Sequence, residues 1–383
     1  MQSLYFNRYK VNAVNNVPEY EILALYDLYN ATMGTEWRWG GESGAQWVFN
    51  TSTNPCSPKW QGIQCSNTTS ADGYLHVEII YLPYYSLHGY IPDSISNLTY
   101  LNYLDLSNNI LSVRPLPNTI GSLHNLVTLN LEKSSVIGNI PSSINGLWSL
   151  QTLDLGYNIL NGELPIALCN LTALTSINVE VNLISGSIPA CIGQLSQLKE
   201  LQLYDNFIQG TLPLQLGNLT SLLLLGVSSN SRIYGTIPYT LSKLVKLEIL
   251  DVSQNKLTGT IPEYFGNYTY LQYMDVSFNH FNGTIPASFG NLSNLNILKL
   301  YQNYLTGTIP QSLTKLSKLY ELSLHDNILT GIIPLNLGFC SQLQYLYLHD
   351  NYFTGTIPYT FANFTQMIQI FLVQNYFTGS IPS

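Results

Sequence analysis

The sequence contains few charged residues. Only 14 Lys and Arg and 22 Asp and Glu occur among 383 residues, so 9% of the chain is charged. A typical soluble domain carries roughly 25%. The net charge of −8 argues against a nucleic-acid-binding protein, because such proteins need a basic surface. The 45% hydrophobic content argues against a charge-driven disordered chain.

Long apolar runs and catalytic motifs are also missing. No run of about 18 apolar residues is present, so no membrane-spanning helix is predicted. The sequence contains no glycine-rich phosphate loop, no H-E-x-x-H motif and no Cys/His cluster at zinc spacing. Carboxylates do recur at one repeat position, but we do not interpret them as an acid pair: Asp105, Asp154, Asp251 and Asp275. The sequence therefore predicts a protein that is not an enzyme, with no cofactor and no metal.

What the sequence does contain is an internal repeat of 24 residues, with single-residue insertions near Arg114 and Arg232. Each unit has the pattern L-x-x-L-x-L-x-x-N-x-L followed by G-x-x-P, as in the unit that begins at Leu198. Thirteen units begin at Val77, Leu101, Leu126, Leu150, Leu174, Leu198, Leu222, Leu247, Leu271, Leu295, Leu319, Leu343 and Met367. One continuous solenoid therefore replaces the two or three domains that the length suggests.

Each repeated position has a physical role. The L-x-L segment predicts a short strand that stacks in parallel on the next copy, about 4.8 Å away. The Asn at position nine is expected to be buried, where its amide satisfies backbone groups of neighbouring coils. These residues form a predicted ladder of Asn158, Asn182, Asn206, Asn230, Asn255, Asn279, Asn303, Asn327, Asn351 and Asn375.

This pattern resembles the leucine-rich repeat family, in its plant-type 24-residue class. The resemblance covers residues 77–383 and implies an α/β solenoid, a curved right-handed superhelix with a concave parallel β-sheet. Residues 1–76 are predicted to be an N-terminal capping region, with a helix that opens at Pro18-Glu19 and ends near Gly34. The sequence ends at Ser383 within a repeat, and no C-terminal cap is predicted. A longer protein and a partner that covers this end are both open explanations.

The five cysteines divide into three groups. The stretch from Pro55 to Cys65 resembles the N-terminal cap of plant receptors and polygalacturonase inhibitors, which implies a Cys56–Cys65 disulfide. Cys169 and Cys191 lie at convex positions of adjacent repeats, where either a bridge or two buried thiols would fit. Cys340 has no obvious mate and is predicted to fill the core.

Ten N-x-S/T sequons predict glycosylation and hence secretion or a place on the cell surface. They lie at Asn30, Asn50, Asn67, Asn97, Asn170, Asn218, Asn267, Asn282, Asn291 and Asn363. Six of them share repeat position twenty-one on the convex side, although Gly-Asn-Leu-Thr/Ser is also a common filler of this repeat class. Met1-Gln2-Ser3 is not followed by the apolar core of a signal peptide.

The candidate binding site is the concave face, where aromatic and neutral polar residues cluster in the C-terminal half. The predicted ligand-contacting residues are Tyr204, Phe278, Lys299, Tyr301, His325, Asp326, Tyr347, His349, Asp350 and Phe371. His325-Asp326 and His349-Asp350 repeat at 24 residues, so the two imidazoles should stack. A metal site there is the less favoured alternative to a ligand-contacting or solvated pair. If both imidazoles charge, binding should weaken below about pH 6.5.

We therefore predict an extracellular recognition module that binds a protein, peptide or carbohydrate. One alternative is a structural subunit that self-associates head to tail through the last repeat. A second is an inhibitor of a wall-degrading glycosidase. Ice binding ranks last because no Thr ladder runs along the strands, and the aligned threonines are interpreted as turn residues: Thr258, Thr306, Thr330, Thr354 and Thr378, with Thr260, Thr284, Thr308 and Thr356.

Overall fold

The computed structural model describes residues 16–40, 43–50 and 53–381, and the chain divides into two compact units, Met1–Ile184 and Ser185–Ser383. In both units every predicted repeat contributes one three- to five-residue strand to a main sheet. A 3-10 helix that follows the repeat proline lies on the return path. The predicted solenoid of parallel strands is thereby confirmed.

The first elements in the described part of the first unit are helix α1 (Glu19–Ala31) and a 3-10 helix at Gly34–Glu36. Its strands are β1 (Ile63–Cys65), β2 (Val77–Tyr81), β3 (Tyr103–Asp105), β4 (Thr128–Asn130), β5 (Ile137–Asn139), β6 (Thr152–Asp154), β7 (Ile159–Asn161) and β8 (Ser176–Asn178). Strand β1 pairs antiparallel with β2. The other main-sheet strands pair in parallel in the order β2-β3-β4-β6-β8, and β5 pairs in parallel with β7. The 3-10 helices on the return path are Asp93–Asn97, Asn118–Ser122, Ser142–Gly146 and Ile166–Asn170.

The second unit contains two parallel sheets. Its main sheet comprises β9 (Glu200–Gln202), β11 (Leu224–Gly226), β13 (Ile249–Asp251), β15 (Tyr273–Asp275), β17 (Ile297–Lys299), β19 (Glu321–Ser323), β21 (Tyr345–Tyr347) and β23 (Gln369–Phe371). The second sheet comprises β10 (Gln209–Gly210), β12 (Arg232–Gly235), β14 (Lys256–Thr260), β16 (His280–Thr284), β18 (Tyr304–Gly307), β20 (Ile328–Gly331), β22 (Tyr352–Gly355) and β24 (Tyr376–Phe377). The 3-10 helices are Ala190–Gln194, Leu214–Asn218, Tyr239–Lys243, Glu263–Asn267, Ala287–Asn291, Gln311–Lys315, Leu335–Phe339 and Tyr359–Asn363.

The second sheet corrects the interpretation of the aligned threonines as turn residues. Thr258 and Thr260 lie in strand β14, and Thr306 lies in β18, where its hydroxyl donates to the carbonyl of Gly283 at 3.3 Å. Glycine is needed between the threonines: Gly307 has φ +77°, and a Cβ there would lie 2.8 Å from Cγ2 of Thr284. The T-G-T phrase therefore encodes a strand with a close contact to its neighbour.

The Asn ladder is present as predicted. Asn303 shows the pattern: its Nδ2 donates to the carbonyls of Val276, Leu300 and Tyr301 at 3.0, 3.1 and 3.2 Å, and its Oδ1 accepts from Phe281 N at 3.0 Å. One buried amide thus bonds backbone groups on two successive coils, and it supplies the acceptor for the buried N–H of Phe281.

The insertion near Arg232 interrupts this hydrogen-bond pattern at one rung, that is, at one Asn of the ladder. In neighbouring rungs the backbone N–H at position eleven donates to the next Asn, as Leu257 donates to Asn279. The extra residue turns Ile233 N toward the carbonyl of Asn230 instead, at 2.8 Å. Asn255 Oδ1 is consequently buried with no hydrogen-bond partner among the described residues.

An aromatic cluster forms the core of the described N-terminal region that precedes the first repeat. Trp47 stacks on Trp60 with a centroid separation of 5.4 Å and meets Trp37 edge to face at 4.9 Å. Its indole N–H donates to Gln61 O at 2.8 Å, so the buried ring leaves no polar atom unpaired. Helix α1 begins where the sequence predicts and ends three residues before Gly34.

Buried charges attach helix α1 to the first repeat. The carboxylate of Glu21 lies 2.5 Å from His76 Nδ1 and accepts from Val77 N at 2.8 Å, while His76 Nε2 lies 3.1 Å from Asp72. Burial opposes a charge on His76, but its hydrogen bonds to Glu21 and Asp72 outweigh that effect and raise its pKa above 6.5. Burial also raises the pKa of Glu21 above 4.5, although the hydrogen bonds from Val77 N and His76 favour its charged form.

We expect His76→Gln to destabilise the protein by about 3–5 kcal/mol, because it leaves the buried Glu21 carboxylate without its charged partner. A raised His76 pKa stabilises the folded state below pH 6.5, and this contribution is lost as pH rises through the folded-state pKa. The loss in H76Q, measured by urea unfolding, should therefore be larger at pH 6 than at pH 8. An equal loss at both pH values would contradict the assignment.

The cysteines occupy three environments. Cys56 and Cys65 form a disulfide, with their Cα atoms 5.8 Å apart. Cys169 and Cys191 are each disulfide-bonded as well. Cys340 is a free, buried thiol whose pKa is raised to about 11 by burial. None of the helices in the described part of the chain combines the length and apolar character that crossing a bilayer requires.

Candidate functional site

The side chains of the site are carried on the exposed side of the second unit's main sheet, which we call the sheet face. In each repeat the strand is followed by an outward residue at position seven and by a residue at position eight with positive φ. The position-eight residues have φ between 48° and 54°: Asp205, Ser229, Gln254, Phe278, Gln302, Asp326, Asp350 and Gln374. This left-handed conformation turns the chain sharply away from the sheet.

Three rings at position seven form a continuous stack. The ring centroids of Tyr301 and His325 are 4.2 Å apart, and those of His325 and His349 are 4.3 Å apart, with interplanar angles of 14° and 13°. The predicted stacking of the two imidazoles is therefore present. The imidazoles stack because β19 and β21 pair in register, with Ser323 opposite Tyr347. His325 and His349, each two residues further along, therefore also lie side by side.

Two more rings, at position five, meet this stack edge to face. Tyr347 lies 6.0 Å from His325, and Phe371 lies 5.7 Å from His349. The Tyr347 hydroxyl donates to Gln369 Oε1 at 2.7 Å, which fixes the orientation of its ring. We call these five residues the ring cluster: Tyr301, His325, Tyr347, His349 and Phe371.

A pocket of about 310 Å³ opens above the ring cluster. Its other walls are Lys299, Glu321 and Ser323. Lys299 Nζ lies 3.9 Å from Glu321 Oε1, which also accepts from Ser323 Oγ at 2.8 Å. The pocket therefore combines apolar rings with one ion pair, a composition suited to binding a ligand that has both apolar and polar groups.

Electrostatics keep His325 neutral. Burial and, after it, the neighbouring His349 lower the pKa of His325 to about 4. Both imidazoles are therefore charged together only at a pH well below 6.5, the value expected from the sequence.

The structure brings together most of the predicted site residues. Phe278 joins the cluster through an edge-to-face contact with Tyr301 at 5.1 Å, and Asp326 and Asp350 each lie beside their own imidazole. Tyr204 does not belong to the site, since strands β11, β13 and β15 lie between its strand β9 and Tyr301. Glu321 and Ser323 line the pocket but are not among the predicted ligand-contacting residues. They occupy positions three and five of the repeat that begins at Leu319, so the pattern of outward strand positions identifies them.

Two larger depressions lie elsewhere on the second unit. One of about 590 Å³ is lined by Lys318, Tyr320 and amide side chains, and one of about 450 Å³ by Asp350, Gln374 and their neighbours. The first has one tyrosine among mainly amide side chains, and the second has four amides, Asp350 and the stacked pair of Tyr352 and Tyr376. The pocket over the ring cluster is the better candidate because it gathers five rings in mutual contact beside an ion pair.

All ten sequon asparagines are exposed. The six at repeat position twenty-one are each the last residue of a 3-10 helix: Asn97, Asn170, Asn218, Asn267, Asn291 and Asn363. They lie on the return path of their own repeats. Asn282 lies in β16 of the second sheet.

Comparison with known proteins agrees with this geometry. The leucine-rich repeat family model matches residues 269–329, and a second model of the repeat matches residues 149–171, 197–219, 246–268 and 342–364. A search of curated proteins gives no match.

Among solved structures, the chain is similar to the Arabidopsis receptor kinase HAESA in complex with the peptide hormone IDA and the co-receptor SERK1. The identity is 30% over 95% of this chain, with a TM-score of 0.81, and the chain spans 59% of that receptor chain. A leucine-rich repeat protein of Leptospira interrogans is 30% identical over 75% of this chain and 70% of its own, with a TM-score of 0.63. A plant ice-binding protein is 25% identical over 77% of this chain and 90% of its own, with a TM-score of 0.62. The chain belongs to the leucine-rich repeat family, and its repeats resemble those of plant receptor-kinase ectodomains.

Proposed function

We propose that this chain is a non-enzymatic recognition module that binds an extended peptide, or an extended segment of a protein, on the sheet face. The ring cluster is the observation that carries the proposal. Five rings fixed by stacking and hydrogen bonds offer a large contact area at small entropic cost, which is the composition of binding hot spots. The peptide hormone in the HAESA complex supports a peptide as the class of ligand.

A random-peptide library displayed on phage would test this function directly. Peptides enriched on the native protein should lose at least about tenfold in affinity for Tyr347→Ala and for Phe371→Ala, since a hot-spot ring contributes about 2 kcal/mol. Tyr204→Ala is the matched control, because it removes an aromatic ring from the same face outside the ring cluster. It should bind like the native protein.

Two outcomes would reject this function. Peptides that bind both ring-cluster variants and Y204A equally well would place the contact elsewhere. Enrichment of oligosaccharides on a glycan array, with no peptide selected, would favour carbohydrate recognition by the same rings. Melting curves of the three variants would show that each remains folded.

We also propose that the protein acts outside the cell or on its surface. The disulfides and ten exposed sequons support this location. Mass spectrometry of native protein should find hexosamine on the position-twenty-one asparagines. Unmodified peptides at all ten sites would contradict the proposal.

Ice binding is not proposed, despite the similarity to a plant ice-binding protein. A face that matches a crystal lattice needs a flat, regular array of side chains. In the second sheet the strands are staggered by two residues, so Thr284 lies opposite Thr306 but Thr306 lies opposite Ile328. The direct neighbours of threonine on this sheet therefore include bulky side chains.

A further inference from the structure

The two His-Asp pairs on the sheet face place three metal-ligating side chains together. His325, Asp326 and His349 each offer one donor atom, and these atoms all lie within 4.8 Å of one another. The Nε2 atoms of both imidazoles point toward carboxylates: His325 Nε2 lies 4.0 Å from Asp326 Oδ2, and His349 Nε2 lies 4.0 Å from Asp350 Oδ2. From these positions we infer that His325, His349 and Asp326 form a binding site for a divalent transition-metal ion, Zn²⁺ in particular.

The separation of the imidazoles suits this role. Two nitrogens bound to one tetrahedral Zn²⁺ at about 2.0–2.1 Å lie roughly 3.3 Å apart. The two rings are nearly parallel with centroids 4.3 Å apart, and the donor atoms lie within 4.8 Å of one another, so the nitrogens need to approach by up to about 1.5 Å. Each nitrogen lone pair lies in the plane of its ring, so the rings must also tilt for both lone pairs to meet one ion. Both side chains follow strands held in exact parallel register, which keeps the pair aligned as the rings tilt.

The carboxylates differ in their availability. Gln374, with its amide nitrogen turned toward Asp350, donates to both oxygens of that carboxylate. Among the described residues, Asp326 has no lysine or arginine within 4 Å. Asp326 is therefore the carboxylate free to complete a set of two imidazoles and one oxygen, which prefers Zn²⁺, Cu²⁺ or Ni²⁺ over Ca²⁺ and Mg²⁺.

The remaining imidazole nitrogens set the expected strength of the site. His325 Nδ1 and His349 Nδ1 are buried with no hydrogen-bond partner among the described residues. Metal-bound histidines normally donate this second N–H to an acceptor, and loss of that contact lowers affinity by about 10- to 100-fold. The site should therefore bind Zn²⁺ about 10- to 100-fold more weakly than a site whose histidines make this contact.

Three protein ligands leave a fourth tetrahedral position open. Because His325 and His349 also line the pocket above the ring cluster, this position would be available to a carboxylate of a bound peptide. This second step rests on the proposed function, whereas metal binding itself does not.

The test is calorimetric titration of the intact, tag-free chain with ZnCl₂ alone. One equivalent should bind to the native protein, and His325→Ala and His349→Ala should each lower the affinity at least about tenfold. Asp326→Asn should also bind more weakly, and MgCl₂ should give no binding heat. His280→Ala is the matched control, because His280 is an exposed histidine of the neighbouring second sheet that stacks on Tyr304.

Native-like Zn²⁺ affinity in H325A and H349A, or an equal loss in H280A, would overturn the site. Far-UV circular dichroism of each variant separates loss of a ligand from loss of fold. Since no peptide takes part, a negative result here leaves the peptide experiment intact. In the same way, failure of a ring-cluster variant such as Y347A to bind peptide does not change the result expected in the zinc titration.

Discussion

Asn303→Ala is expected to lower the free energy of unfolding by about 3–5 kcal/mol. The substitution removes four hydrogen bonds, each with a net contribution of about 0.5–1.5 kcal/mol. It also leaves the buried N–H of Phe281 without this acceptor, at a cost of about 1–3 kcal/mol. The three carbonyls that accept from Asn303 each keep another donor: Asn279, Asn327 or Phe278 N. The measurement is urea unfolding of native and variant protein, followed by far-UV circular dichroism.

Two variants make this expectation specific. Asn255→Ala should cost about 1 kcal/mol less than Asn303→Ala, because Asn255 makes only three of these bonds and already leaves its Oδ1 unpaired. Asn296→Ala changes an exposed asparagine of the same repeat and should stay within about 0.5 kcal/mol of the native protein. Equal losses at Asn255 and Asn303 would show that the number of bonds does not determine the contribution of a rung.

Trp47→Ala is expected to destabilise the N-terminal region that precedes the first repeat by about 3–5 kcal/mol. It removes a buried indole that packs against Trp37 and Trp60, and it leaves the carbonyl of Gln61 without its donor. Unfolding should be followed by the fluorescence of the remaining tryptophans.

Trp148→Ala provides the matched control. Trp148 is 66% exposed and stacks on His124, so the same substitution should cost less than about 1 kcal/mol. If both variants lose the same stability, the aromatic cluster is not the core of this region.

The repeat frame could be predicted from sequence because each of its positions has one physical role. Leucine at positions four and six and asparagine at position nine follow from stacking and backbone satisfaction alone, and the structure places them accordingly. The stack of His325 on His349 also followed from the 24-residue spacing, because parallel strands in register place equivalent residues side by side.

Other features depend on contacts between coils, which the pattern within one repeat does not contain. The threonines at positions twelve and fourteen are predicted as turn residues from the sequence, yet contacts such as that of Gly307 with Thr284 build a second sheet. The orphaned oxygen of Asn255 results from an insertion in the preceding coil. The separation of Tyr204 from the ring cluster reflects the serines at position seven of the three intervening repeats: Ser228, Ser253 and Ser277.

At position eight the positive φ of the backbone does not depend on the chemistry of the side chain. Aspartate, serine, glutamine and phenylalanine all adopt the same backbone conformation there, although it disfavours most L-residues by about 1–2 kcal/mol. The surrounding hydrogen bonds impose that conformation whatever the side chain. Each coil can therefore exchange this one outward residue with little change to the frame, so the sheet face can acquire a new specificity one repeat at a time.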